Sequence, residues 1–97
     1  MITADQIRAA RALIRMDQAD LAKRAEISVE TIKRLERLDG PLAGARAGTL
    51  AALQRALEAA GVLFLEENGE GPGVRLRKRR RGKQSIPVED LTAENDE

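Results

Sequence analysis

Cysteine and histidine are absent from the 97 residues, and Phe64 is the only aromatic side chain. Without Cys there is no disulfide, no thiolate zinc site and no thiol nucleophile. Without His the chain lacks the usual general base, the commonest metal ligand and any Ser-His triad. No apolar run approaches the roughly 20 residues of a membrane span, and Met1 to Ala12 contains no signal-peptide core. These absences lead to the expectation of a soluble, cytoplasmic, non-enzymatic chain with no cofactor, no metal and no membrane partner.

What is present is enough for one small domain. Hydrophobic residues make up 42% of the chain, but 16 of them are Ala, so the core must be thin and built from closely packed helices. The net charge of +1 conceals a segregation. Residues 1–74 carry 10 basic and 11 acidic side chains, residues 75–83 (RLRKRRRGK) carry 7 basic and none acidic, and residues 84–97 carry 5 acidic and none basic. The position of the charge is therefore more informative than its total.

Thr3 and Gln6 have capping-box spacing, and Asp5 sits where the positive end of a helix favours an anion. Ile7, Ala10 and Ile14 then share one face, which predicts a first helix over about 4–15. Asp17 is the N-cap candidate for a second helix, Gln18 to Ala25, with Leu21, Ala22 and Ala25 inward. Ser28 caps a third, about Val29 to Arg37, with Ile32 and Leu35 inward and Glu30, Lys33, Arg34 and Arg37 on the opposite side. Asp39 to Gly48 holds three Gly and one Pro and reads as a loop. Thr49 then caps a fourth helix, Leu50 to Ala60, closed by Gly61 at C′. Val62–Leu65 and Val74–Arg77 read as two strands joined by the turn residues Asn68–Gly73, with Arg75 and Arg77 able to pair with Glu66 or Glu67. An isolated hairpin is marginal in water, so this one must dock on the helices or pair with another chain. Beyond Lys83 the composition predicts a disordered acidic tail.

The informative segment is residues 16–36, MDQADLAKRAEISVETIKRLE. Two short helices joined by about three residues describe a helix-turn-helix, and Ala22 supplies the small side chain that a close crossing requires. The third helix carries a polar outer row, and an α-helix fits the major groove of DNA, where base edges present distinguishable donors and acceptors.

Through Gln18, Leu21-Ala22, Ala25, Ile27-Ser28, Thr31-Ile32 and Leu35-Glu36, the segment resembles the XRE family of Cro-like helix-turn-helix regulators of bacteria and phages. The resemblance covers about residues 5–65. The stretch from Glu67 to Arg77 is similar to the C-terminal end of a subgroup of small α-proteobacterial regulators. The implied fold is mainly α: a lambda-repressor-like four-helix DNA-binding domain with a C-terminal two-stranded β-hairpin. The implied roles are carried position by position. Gln18 would contact a backbone phosphate and brace the reading helix. Ser28, Val29, Glu30 and Thr31 would lie on its first turn, with Arg34 one turn on. Arg34 would bond guanine, Glu30 would accept from cytosine, and Val29 would touch a thymine methyl. Lys33, Arg37 and Arg46 would neutralise phosphates. The plainer alternative is that Glu30 and Lys33 or Arg34 form a solvated ion pair on the helix surface.

Two further features follow from the resemblance. Arg11 and Glu36, at the edges of apolar stripes, are expected to form an ion pair joining the first and third helices, and so belong to the scaffold. Glu26 stands where the family normally has Gly, so a positive φ there would cost about 1 kcal/mol.

The expected organisation is a DNA-binding domain over 1–61, a hairpin and possible dimerisation element over 62–77, and a basic arm with an acidic disordered tail over 78–97. The basic run reads as an arm on DNA phosphates, an anionic-membrane contact, an RNA contact or simple solvation. The expected activity is sequence-specific binding of double-stranded DNA by a homodimeric repressor. Two other classes share the architecture: an antitoxin that also represses its own operon and holds a toxin through the C-terminal segment, and a protein-interaction adaptor.

Overall fold

The first helix boundaries are set by side chains that satisfy backbone N–H groups otherwise left without partners. In α1 (Ala4–Ile14), Thr3 Oγ1 accepts from the Gln6 N–H at 3.0 Å and Gln6 Oε1 accepts from the Thr3 N–H at 2.9 Å, the complete capping box. In α2 (Gln18–Ala25), the Asp17 carboxylate accepts from the Asp20 N–H at 2.7 Å. In α3 (Val29–Glu36), Ser28 Oγ accepts from the Thr31 N–H at 3.1 Å. The computed structural model describes residues 2–39, 42 and 44–78. The basic arm past Lys78 and the acidic tail expected to be disordered lie outside the described residues.

Both α1 and α2 end on a non-glycine residue in the left-handed region, Arg15 at φ 55° and Glu26 at φ 60°. The Glu26 N–H turns back to the Ala22 and Lys23 carbonyls, which closes α2 and starts the turn into α3. The strain anticipated at Glu26 is therefore present.

The fourth helix differs from the sequence expectation. It is α4 (Ala47–Ala59), starting three residues before Leu50, with Arg46 at the N-cap position and no side-chain cap. Thr49 lies inside its first turn. The exposed first-turn N–H groups need no partner within the helix, so Gly48 costs only its propensity deficit of about 1 kcal/mol. The preceding loop is also less polar in its role than its composition suggests, because Leu42 is buried in the core. Gly61, at φ 109°, occupies the C′ position as expected.

Two strands follow, β1 (Val62–Leu65) and β2 (Gly73–Leu76), paired antiparallel as Val62↔Leu76, Leu63↔Arg75, Phe64↔Val74 and Leu65↔Gly73. The second strand begins and ends one residue earlier than expected. In the connecting turn, Glu67 Oε2 accepts from the N–H groups of Gly69 at 2.8 Å and Gly71 at 3.0 Å, both residues having positive φ. The ion pairs expected across the hairpin are not formed among the described residues: the register sets Arg75 opposite Leu63 and Arg77 beside Gly61, away from the turn end where Glu66 and Glu67 lie.

The hairpin docks on α1 and α4. Val62 is fully buried, and Phe64 and Val74 pack against the core. The Gln6 side-chain amide donates to the Gly73 carbonyl at 2.9 Å and to the Leu65 carbonyl at 3.3 Å, so the residue that completes the α1 cap also fastens the turn end of the hairpin. At the other end the Arg77 N–H donates to the Gly61 carbonyl at 2.7 Å. The single core is thin: Ile7 and Ala10 of α1, Leu21, Ala22 and Ala25 of α2, Ile32 and Leu35 of α3, and Leu53 and Leu57 of α4.

Relief of the left-handed strain should outweigh the added chain entropy of glycine, so Glu26→Gly is expected to stabilise the protein by about 0.5–1 kcal/mol. Glu26→Ala, which keeps the Cβ, should bring no such gain. Urea unfolding midpoints check this, and a lower midpoint for Glu26→Gly would show that the strain is not what limits the turn.

Candidate nucleic-acid interface

An eight-residue helix does not hold its own orientation, so the outer face of α3 is only as well placed as its supports. Ile32 and Leu35 bury its inner face, and Glu36, only 5% exposed, ends it. The Arg11 guanidinium grips the Glu36 carboxylate with two hydrogen bonds, Nε to Oε2 and Nη2 to Oε1, both 2.7 Å. Gln18 Nε2 adds a third to Oε1 at 2.9 Å. Arg11 Nη1 also donates to the Met16 carbonyl at 3.1 Å, and the Arg8 guanidinium donates to the Glu36 carbonyl while pairing with Asp5. One buried carboxylate thus ties α1, α2 and α3 together.

Burial by itself raises the Glu36 pKa, but the hydrogen bonds from Arg11 and Gln18, with the nearby positive charge, more than offset it and hold the group below its ordinary value. The hydrogen bond to Glu36 in turn raises the Arg11 pKa. The pair is charged at neutral pH.

On the opposite face of α3, Glu30, Lys33 and Arg34 are exposed, and Arg37 is exposed at the C-cap. Among the described residues Glu30 forms no ion pair with Lys33 or Arg34. Ser28 and Thr31 open the helix, their hydroxyls bonded to each other at 2.9 Å. Val29 is half-buried and packs against the core, which leaves only part of its side chain outward. Arg46 is exposed on a separate element, at the N-terminus of α4. Gln18 is half-buried with its amide given to Glu36, so it braces α3 through the carboxylate.

The face that results carries three cations, one carboxylate and two hydroxyls around a helix end, a mixture of donors and acceptors able to bond base edges and phosphates. Among the described residues no group of three carboxylates converges to hold a metal ion, and no helix is long and apolar enough to cross a membrane. The supporting role of Arg8 was not anticipated from the sequence. Its i,i+3 spacing to Asp5 is local, but its bond to the last carbonyl of α3 exists only once the helices have packed. No protein-family model matches the chain, and no curated protein matches its sequence.

Removing one partner of the buried pair leaves the other charge unpaired, so Glu36→Ala or Arg11→Ala should cost about 3–5 kcal/mol at neutral pH. An unchanged melting temperature for either would refute the assignment. Because the folded pKa of Glu36 is lowered, its contribution is complete above the ordinary value of 4.5 and is lost as pH falls through the folded value. The stability curves of the wild type and Glu36→Gln should therefore converge on acidification below that value; a gap that stays constant would show that Glu36 does not titrate as described.

Proposed function

We propose that the protein is a sequence-specific binder of double-stranded DNA, a lambda-repressor-like domain of the XRE type that acts in the cytoplasm as a homodimeric transcriptional repressor. The observation that carries this reading is the pairing of an exposed polar face on α3 with a buried, hydrogen-bonded carboxylate at its end. A helix about 10–12 Å across matches a major groove about 12 Å wide. In that groove Arg34 bonds the O6 and N7 of guanine, Glu30 accepts from cytosine N4, and Ser28 and Thr31 offer short hydroxyls to the bases at the helix start. The part of Val29 left outside the core meets a thymine methyl. Lys33, Arg37 and Arg46 neutralise phosphates, and Gln18 contacts a phosphate with the amide hydrogen that Glu36 leaves free. Two-fold assembly follows from operators built of two half-sites about one helical turn apart.

The test is selection of bound fragments from random duplexes at a fixed salt concentration. A palindromic motif is the expected result. With the selected site in hand, Arg34→Ala should weaken binding by about 1–3 kcal/mol and relax the preference at one position per half-site, whereas Lys33→Ala should weaken binding to all sequences about equally. If no sequence is enriched while the fold remains intact, the reading fails, and an adaptor built on the same helices takes its place.

A further inference from the structure

The register of the hairpin fixes which backbone groups point away from it. Arg77 donates its N–H to the Gly61 carbonyl, so Gly61↔Arg77 is a hydrogen-bonded pair one step beyond Val62↔Leu76. Bonded and non-bonded pairs alternate along an antiparallel ladder. Leu63↔Arg75 and Leu65↔Gly73 are therefore bonded pairs, while Val62 and Phe64 of β1 and Val74 and Leu76 of β2 turn their N–H and C=O groups outward. The sheet has two strands, and among the described residues no other main-chain group bonds those of Phe64. Val62 is buried, whereas Phe64 is half-buried and Leu65, Glu66 and Glu67 are exposed. A groove lined by these four residues and by Gln54 of α4 opens beside them. The accessible part of the β1 edge thus begins at Phe64.

The two edges of the sheet differ in charge. Arg75, Arg77 and Lys78 are exposed on and after β2, and two copies meeting antiparallel through that edge would set cations opposite cations. The sequence of β1, Val-Leu-Phe-Leu, holds no charge and no proline to blunt its edge. Its surroundings are also self-complementary. Side chains alternate between faces, so Leu63, Leu65 and Arg75 lie on the face turned from the core, where Leu65 is 38% exposed. With a two-fold axis at Leu65, the main chain of Phe64 bonds that of the partner's Glu66, and the two copies of Leu65 meet. Glu67 then falls in one row with the partner's Leu63 and the partner's Arg75. That row is two strand spacings wide, about 10 Å, which Glu and Arg side chains span together. Glu67 gives Oε2 to the Gly69 and Gly71 N–H groups, which leaves Oε1 for a guanidinium. The ion pair that the register denies within one hairpin forms between two.

We infer that the free edge of β1 is where two copies of this chain join, in an antiparallel pairing of β1 with β1 centred on Leu65 that makes a four-stranded sheet. The inference rests on the homodimeric part of the proposed function and uses none of the side chains assigned to DNA.

The experiment measures mass in the absence of DNA, by light scattering on the full chain at about 10 and 100 μM, for the wild type, Leu65→Lys, Arg75→Glu and Leu76→Lys. At the higher concentration the wild type should approach twice the 10.6 kDa of one chain, and its melting temperature should rise with concentration. Leu65→Lys sets two ammonium groups face to face at the axis and should stay monomeric. Arg75→Glu changes an exposed side chain and should weaken association about tenfold, because each of two symmetric attractions becomes a repulsion. Leu76→Lys, an exposed change on β2, should associate as the wild type does. Hydrogen exchange at the Phe64 N–H should be slow in the associated wild type and fast in Leu65→Lys. A wild type that is monomeric at about 100 μM overturns the inference. So does a dimer that survives both Leu65→Lys and Arg75→Glu, or a Phe64 N–H that exchanges fast within the dimer. If Leu65→Lys does not fold, Arg75→Glu and the Phe64 amide decide. The DNA reading fails separately: a monomer that enriches an operator removes this dimer and keeps recognition by α3, and a β1-paired dimer that enriches no sequence does the reverse.

Discussion

The arrangement of the helices depends on a carboxylate that should be costly to bury. Glu36 lies inside the protein at the end of α3, and Arg11 and Gln18 supply the hydrogen bonds that let it stay charged there. Such a pair is a poor source of net stability, since apolar residues of similar volume often do as well or better. Its consequence here is directional. A bidentate guanidinium fixes the carboxylate in one geometry, and the carboxylate fixes the end of a helix too short to orient itself. The apolar residues Ile32 and Leu35 decide which face of α3 is inward; Glu36 limits how the helix turns about that face.

The rest of the fold compensates for a thin core. With so much alanine and one aromatic residue, buried side chains fill little volume, and polar clips complete the packing. Gln6 uses its carbonyl oxygen for the α1 cap and its amide for two carbonyls of the hairpin, which joins the N-terminal helix to strands far along the chain. Leu42 adds a core side chain from a loop. Strain is accepted at Arg15 and Glu26, where short turns leave no room for another residue to absorb the change of direction.

Charge is distributed according to the same economy of elements. Cations that support the fold, Arg8 and Arg11, are held by Asp5 and Glu36. Those on the outer face of α3 and at the end of the hairpin have no such partners among the described residues. Arg24 pairs with Asp20 on the exposed surface of α2, apart from both groups.

Much of this was legible in the sequence wherever the governing contact is local. Caps act over three residues and helical faces repeat every 3.6, so Thr3, Asp17 and Ser28 and the inward faces of α1 to α3 could be read along the chain, as could the hairpin turn from its Asn and Gly. The left-handed residue Glu26 was legible only through the resemblance of residues 16–36 to a helix-turn-helix motif. The Arg11–Glu36 pair was legible through a motif, although its members are 25 positions apart. Contacts without a local period were not. The start of α4 has no side-chain cap to mark it, and Leu42 belongs to the core although it stands in a loop. The second use of Gln6 depends on a strand 67 positions away. The hairpin register, which sets Arg75 opposite Leu63 and Arg77 beside Gly61, kept both from Glu66 and Glu67. In each case the deciding quantity is a distance set by packing of the whole domain, and tertiary structure alone supplies it.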